Sequence, residues 1–479
     1  MEILEIKTVE YKGNDIFDGF FIELEQNNME MPESDFVKYF LLWFKNAMFY
    51  NVDSRDYHIF NNKYYKIDKE VLEIHRKITE FIEELQKYII SKGMKDTTMV
   101  RLLKFKTQNK IESFTKALKV ASRIERHQIN QHENLFNVQN GIINLDNFEL
   151  ISHSNEYRIT QIADVIYNPS LGEVSGEAKQ ILLSFFLGDE DILNFMFEYL
   201  GASLSGYAGI RKFVYAFGNG KNGKSTFFGF FVNSFFGDYA TTTNFQAFVG
   251  TRDNTRASSD LVPLFEKRLV VTNEAQTDHK LNTNLIKSIT GGDNINARLN
   301  YANDETFKPH CKLVMFGNNQ LEIDDSSEGM RDRYVQVPFM AKFTKSNQIS
   351  QNEIWDILSN NKSEILNSLI AGYKRIIKNG FSGVQTIERA SLDGFASANS
   401  FVRFINDCLV QEIGSIAKTK DIYTKYKEFA KAEDLARSEI MKKSSMINSL
   451  KSSGIKITYD PSKRIEYADN YRLDNDEII

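Results

Sequence analysis

Nine residues constrain this chain more than any other stretch: Gly218, Asn219, Gly220, Lys221, Asn222, Gly223, Lys224, Ser225 and Thr226. They fit the pattern of a glycine, four residues, then Gly-Lys-Ser. An apolar run, "FVYAF", precedes them, and "STFFGFFVNSFF" follows as a buried helix would. Strand, glycine loop and helix in that order predict a parallel α/β sheet with a phosphate-binding loop at its carboxyl edge. Glycines let the backbone curl until several N–H groups face one anion. The helix start adds a positive partial charge. Lys224 is expected on the β- and γ-phosphates, and the Ser225 hydroxyl on Mg²⁺.

Two further strands end in polar groups, and a third is preceded by them. "KRLVVTNEAQ" has Leu269–Thr272 as its buried part and Glu274 just beyond, 50 residues after Lys224. An acid there is placed to polarise an attacking water and to help hold a metal ion. Its neighbour Asn273 stands where a metal-holding Asp is common. "CKLVMFGNNQ" ends in Asn318 and Asn319. Such an amide can sense a γ-phosphate, and it is equally good turn chemistry. "EGMRDRYVQVPF" sets Arg331 and Arg333 before a strand at 334–337. Either arginine can neutralise a transferring phosphate or form a surface ion pair.

At 479 residues the chain is too long for one core. We divide it into an N-terminal, mostly helical domain (1–170), the nucleotide domain with a helical lead-in and follow-on (171–385), and a small C-terminal domain (398–479). Within the first, "FDGFFIELEQ" reads as a weakly alternating strand. The stretch from Lys92 to Arg126 holds ten Lys/Arg against three acids, either a solvated face or a rim for a nucleic-acid backbone. Net charge is −5, so nucleic-acid contact must use local patches. Two cysteines, Cys311 and Cys408, exclude a disulfide framework and a Cys-rich zinc module. The polar, acidic start is unlike a signal peptide, and no apolar run reaches membrane-spanning length. The expectation is a cytoplasmic protein without a membrane partner.

Twelve Lys/Arg against six acids fall in residues 418–464. "SEIMKKSSMINSLKSSG" reads as a helix with a serine start and a glycine stop. "IKITYDPSKRIEYADNYRL" reads as a hairpin turning at "DPSKR". A helix followed by a basic hairpin fits a winged helix on DNA, with Lys442, Lys443, Lys451, Lys463 and Arg464 as contacts. A structural or protein-binding module would look the same.

"GNGKNGKST", "VVTNEA", "TGGDNINAR", "KLVMFGNN" and "MRDRYVQVPF", in this order, resemble the motor of superfamily 3 helicases, which are AAA+-like. The likeness is to the phage and poxvirus type of primase-helicase and to replication initiators of phage satellites and staphylococcal-type islands. It extends to "YHIFNNKYYKIDKEVL" and "NLFNVQNGIINLDNFELISHS" before the motor, and to "FVRFINDCLVQEIGSIAKTKDIYTKYKEFAKAEDL" after it. The resemblance implies an ATP- and Mg²⁺-dependent homo-hexamer in a bacterial host, moving 3′→5′ on single-stranded DNA. The double-stranded origin of the element would be bound through the C-terminal winged helix. Glu274 would be the catalytic acid, Asn318 the sensor, and Arg333 the finger reaching into the next subunit. Lys287, Asp293 and Arg298 match an element that couples nucleotide state to a DNA-gripping hairpin, expected near 299–308. There Tyr301 and Lys308 are the DNA candidates, while Asp304 and Glu305 depart from the basic tip such motors carry. Neither paired metal-binding carboxylates nor a zinc module occurs in residues 1–105, so a partner would supply priming. A regulatory ATPase that switches binding without unwinding is the alternative.

Overall fold

The computed structural model describes residues 13–27, 30–207, 209–250, 259–274, 280–298, 304–344, 349–433, 435 and 440–474. They form two compact units, Met1–Ile162 and Ala163–Ile479.

The first unit packs helices Gly13–Gln26, Glu33–Trp43, Leu72–Ser91, Asp96–Leu103 and Gln108–Ala121 beside two small sheets. One sheet orders its strands 65–68, 56–60, 48–51 and 123–124; the other meanders through 135–138, 141–144 and 149–151. "FDGFFIELEQ" is helical, not extended. Phe17, Phe20, Phe21 and Leu24 recur at helical spacing and are all buried among aromatic rings, which overrides the weak alternation. The basic stretch is partly neutralised within the unit. Lys92 pairs with Asp18 at 3.5 Å, Lys106 with Glu83 at 2.9 Å and Lys110 with Glu33 at 3.1 Å.

The second unit is built on a five-stranded sheet. Its strands, in spatial order, are Tyr334–Pro338, Phe213–Phe217, Lys312–Gly317, Leu269–Glu274 and Ala240–Thr243. Every neighbouring pair is parallel, so all five carboxyl ends lie along one edge. The inner strands Phe213–Phe217 and Lys312–Gly317 are nearly continuous apolar runs, as burial on both faces requires, whereas the edge strand Ala240–Thr243 is mostly threonine. Helix Lys224–Phe230 leaves the phosphate-loop strand and widens into a π-turn at Phe231–Phe235.

The lead-in helix Glu190–Ala202 crosses the follow-on helix Lys362–Asn379 closely. A Cβ on Gly201 would stand 2.2 Å from the Leu369 carbonyl oxygen, and one on Gly372 would stand 2.5 Å from that of Phe197. Glycine at both positions lets the backbones meet. Beside the crossing, the fully buried Glu198 carboxylate accepts from Arg375 Nε at 3.1 Å and from the Ser382 N–H and hydroxyl. The end of the lead-in helix is closed by cations from the sheet's amino edge. Lys312 Nζ donates to the carbonyls of Ser205 (3.1 Å), Tyr207 (2.8 Å) and His310 (3.1 Å), and Arg268 donates to that of Leu204. Charge-assisted bonds of this kind are worth about 1.5–3 kcal/mol each, and a cation suits a helix C-terminus.

The C-terminal part of this unit alternates helix and strand. Helices Ser400–Cys408, Thr419–Ala432 and Lys443–Ser452 cover an antiparallel sheet ordered Leu409–Lys418, Ile465–Leu473, Ile457–Asp460. The expected serine start, Ser438, lies outside the described residues. The helix begins at Lys443 with Lys442 as its flanking residue, and Gly454, at φ 84°, follows its end. No helix among the described residues is long and apolar enough to cross a membrane.

Candidate nucleotide site

The sheet order brings distant motifs together. The strand ending at Gly317 lies directly beside the phosphate-loop strand, with Gly317 opposite Phe217. Asn318 therefore stands at the loop although it is 94 residues from Lys224 in sequence. Its Oδ1 accepts from Lys224 Nζ at 3.0 Å and from the Gly220 N–H at 3.2 Å. Lys224 is buried and also donates to the Gly218 carbonyl. The ammonium is thus aimed along the loop rather than out to solvent. Glu274 closes the next strand, opposite Phe316, so its backbone stands at the same edge one strand further on. Its side chain lies outside the described residues.

The loop has one buried and one open face. Gly218, Asn222 and Lys224 are buried, while Asn219, Gly220, Lys221 and Ser225 are exposed and Thr226 is half-buried. Asn222 Nδ2 donates to the Phe339 carbonyl at 3.2 Å, and the Phe343 N–H donates to the Lys221 carbonyl at 2.9 Å. Gly223 has φ 81°, which a side chain rarely adopts, and a Cβ there would also strike the Phe185 ring at 2.4 Å. Trp355 Nε1 donates to the Thr226 carbonyl at 3.0 Å, tying the follow-on helices to the phosphate helix. The segment after Pro338 was not singled out from sequence. Its signal is the pair of aromatics in "PFMAKF", Phe339 and Phe343.

Ser225 is the candidate magnesium ligand that the described residues present at the loop. Among the described residues no group of three or more His, Cys, Asp or Glu is arranged to bind a metal. Ser225 offers an exposed hydroxyl at the head of the helix, and Mg²⁺ in such sites takes few protein ligands and keeps water and phosphate oxygens. Asn273 is otherwise occupied, because its Oδ1 accepts the Phe245 N–H at 2.7 Å.

Arg333 is half-buried. Its Nε donates to Thr290 Oγ1 at 3.0 Å, and its Nη1 donates to the Gly329 carbonyl. Arg331 is exposed and lies 3.9 Å from Glu328. Lys287, on the same helix as Thr290 (Thr283–Gly291), donates to Asp325 and to Ser327 Oγ at 3.1 Å. Burial alone would raise the Asp325 pKa, but hydrogen bonds from Lys287 and Ser327 hold it below the usual carboxylate value. The "K…TGGD" helix is thereby fastened twice to the segment that carries the two arginines.

The hairpin pairs Ile295–Arg298 with Asp304–Phe307. It starts four residues earlier than the expected span, because the alternation Ile295, Ala297 and the buried Phe307 seats its base on the core. Lys308 is exposed just past the second strand, at the base of the hairpin and not at its tip. Asp293 is exposed where the chain leaves the helix. Tyr301 and the side chains of Arg298, Asp304 and Glu305 lie outside the described residues.

In the C-terminal part, Lys442, Lys443, Lys451, Lys463 and Arg464 are all exposed. Helix Lys443–Ser452 buries Met446, Ile447 and Leu450 and turns Lys443, Ser444, Ser445, Asn448, Lys451 and Ser452 outward, a face without an acid. Lys463 and Arg464 occupy the hairpin turn, where Asp460 Oδ1 accepts the N–H groups of Ser462 (2.9 Å) and Lys463 (3.2 Å).

Known proteins match parts of the chain. The family model described as D5 N terminal like matches residues 37–187, and that of a family of unknown function, DUF5906, matches residues 216–333. A "Putative helicase" of Acanthamoeba polyphaga mimivirus is 24% identical over 266 residues, 51% of this chain. The match spans 27% of that relative's length. Two apo structures of the NrS-1 C-terminal region align at TM-scores of 0.45, with 10% and 11% identity. They cover 90% and 92% of this chain and 98% and 99% of theirs.

Proposed function

We propose that this chain is an ATP-driven DNA helicase of the superfamily 3, primase-helicase type, serving replication of a phage, satellite or mobile element. The observation that carries the reading is the junction of Asn318 with Lys224 and Gly220. It supports reading Asn318 as a γ-phosphate sensor beside a phosphate loop at the carboxyl edge of a parallel sheet. The family-model matches and the mimivirus relative, named as a helicase, support the choice of motor.

In this reading Lys224 and the loop amides hold the triphosphate of ATP. Ser225 and Glu274 bind Mg²⁺, which neutralises phosphate charge when present. Glu274 orients the attacking water and Asn318 registers the γ-phosphate. Arg333 reaches the site of the adjoining subunit in a hexameric ring. Lys287 and Thr290 fasten the hairpin helix to the arginine segment, so nucleotide state moves the hairpin and its strand of DNA, 3′→5′. Tyr301 and Lys308 are the candidate contacts in the channel. The exposed basic face at Lys442, Lys443 and Lys451, with the turn at Lys463 and Arg464, binds the duplex origin. A partner supplies primers.

Forked-DNA strand displacement by wild type, Lys224→Ala and Arg333→Ala tests this. ATP-dependent displacement that Lys224→Ala abolishes is expected; hydrolysis without displacement refutes the helicase. One observation favours the regulatory ATPase instead. Arg333 is engaged within its own subunit by Thr290 and Gly329. Full hydrolysis by Arg333→Ala would mean that the trans finger is misassigned, and hydrolysis with no displacement would support that second reading.

A further inference from the structure

The site as described accounts for the phosphates and leaves the nucleoside without a partner. The sheet order says where it must lie. The phosphate-loop strand has the Asn318 strand on one side and Tyr334–Pro338 on the other. If Asn318 and Glu274 attend the γ-phosphate, the α-phosphate and nucleoside leave on the opposite side, toward the segment that follows Pro338.

That segment runs along the loop. The Phe339 N–H donates to the Phe217 carbonyl at 2.7 Å, its carbonyl accepts from Asn222, and the Phe343 N–H donates to the Lys221 carbonyl. The Phe343 ring is half-buried and stands at Gly223, where a Cβ would approach it to 3.0 Å. Its inner neighbour is Phe185, with centroids 5.7 Å apart and planes at 65°. An edge-to-face pair fixes the orientation of a ring. Phe185 is fully buried, so it serves as the support, and Phe343 keeps open surface at the mouth of the loop.

We propose that Phe343 is the base-stacking residue of the nucleotide site. It would present its π-face to the base of a purine nucleoside triphosphate, with Phe185 holding it in place. The proposal rests on the phosphate-loop reading above. Stacking tolerates any base but grows with the size of the π-system, so purines bind more tightly than pyrimidines.

The test measures the affinity of the full chain for ATP, UTP and inorganic tripolyphosphate in wild type, Phe343→Ala, Phe343→Trp and Lys224→Ala. Phe343→Ala should weaken ATP about tenfold, the scale of one lost base stack. UTP should weaken less, and tripolyphosphate, which has no base, should be unchanged. Phe343→Trp should restore ATP. Equal weakening of ATP and tripolyphosphate would mean that the ring only shapes the loop, and unchanged ATP affinity would place the base elsewhere; either result overturns the proposal. A wild type that binds neither ATP nor tripolyphosphate brings down the phosphate-loop reading itself. That outcome is distinct, because loss in Lys224→Ala of both ligands shows the loop to be at work.

Discussion

Lys224 and Lys312 are both almost fully buried, at 5% and 3% exposure, and they stand at opposite edges of one parallel sheet. Lys312, at the amino edge, donates to three backbone carbonyls around the end of a helix. Those acceptors cannot move without unwinding the chain. Lys224, at the carboxyl edge, is held by a carbonyl of its own loop and by the amide side chain of Asn318. A side-chain rotation can exchange Asn318 for a phosphate oxygen. Burial by itself therefore does not separate the two lysines; the mobility of their acceptors does.

The largest separation is expected from Lys224→Ala. ATP turnover should fall by at least about 10²-fold, the usual loss for a group that stabilises charge on the reacting atoms. The melting temperature should hardly change. A melting point that drops as far as the rate would break the comparison, and calorimetry beside a phosphate-release assay reads both.

Lys312→Met should behave in reverse. Leaving buried carbonyls without donors costs roughly 3 kcal/mol, read as a shifted denaturant midpoint in the second unit. Nucleotide affinity of the remaining folded protein should be preserved. A variant as stable as wild type would mean that water or Arg268 takes over the helix end.

His58 offers a third buried basic group, one that burial keeps uncharged against the weaker opposite pull of Asp56. Both ring nitrogens lack a hydrogen bond, the ring stacks on Phe49 at 4.7 Å, and burial pulls the pKa from about 6.5 down to about 4. The folded state therefore holds it neutral while the unfolded chain takes up a proton. Its contribution is complete above about pH 6.5, shrinks as pH falls toward 4 and levels off below. The whole loss is about 3 kcal/mol. His58→Leu should flatten that slope in urea titrations of the first unit; an unchanged slope would assign it to other groups.

The smallest effect is expected from Asn318→Ala. ATP should still bind within a few-fold of wild type, since Lys224 keeps its loop contact. Hydrolysis should slow about tenfold through loss of one hydrogen bond to the reacting phosphate. If ATP binding is lost instead, Asn318 supports the loop rather than the chemistry.

Three strands of the sheet, Phe213–Phe217, Leu269–Glu274 and Lys312–Gly317, were legible as short apolar runs that run into Gly, Glu or Asn, whereas Ala240–Thr243 has no apolar run to show it. The loop between strand Phe213–Phe217 and helix Lys224–Phe230 was legible because glycine spacing and a buried helix restrict the alternatives. The helix at Gly13–Gln26 was not, since "FDGFFIELEQ" satisfies a period of two nearly as well as one of 3.6. Only packing against Phe36, Tyr39 and Phe81 decides it. Likewise "YANDETFK" shows that a hairpin is present, but not that its second strand ends before Lys308. Phe343 shows in the sequence only as the second aromatic of "PFMAKF", a weak signal because a phenylalanine after a strand is most often core.

Local chemistry alone determined the loop, the strand that feeds it and the polar residues at the strand ends, because turn geometry and buried apolar runs are short-range properties. Which ends become neighbours was decided by tertiary structure. Inserting the Lys312–Gly317 strand between the phosphate-loop strand and Leu269–Glu274 is what sets Asn318 on Lys224, and strand order follows from packing both faces of the sheet, a condition on the whole unit.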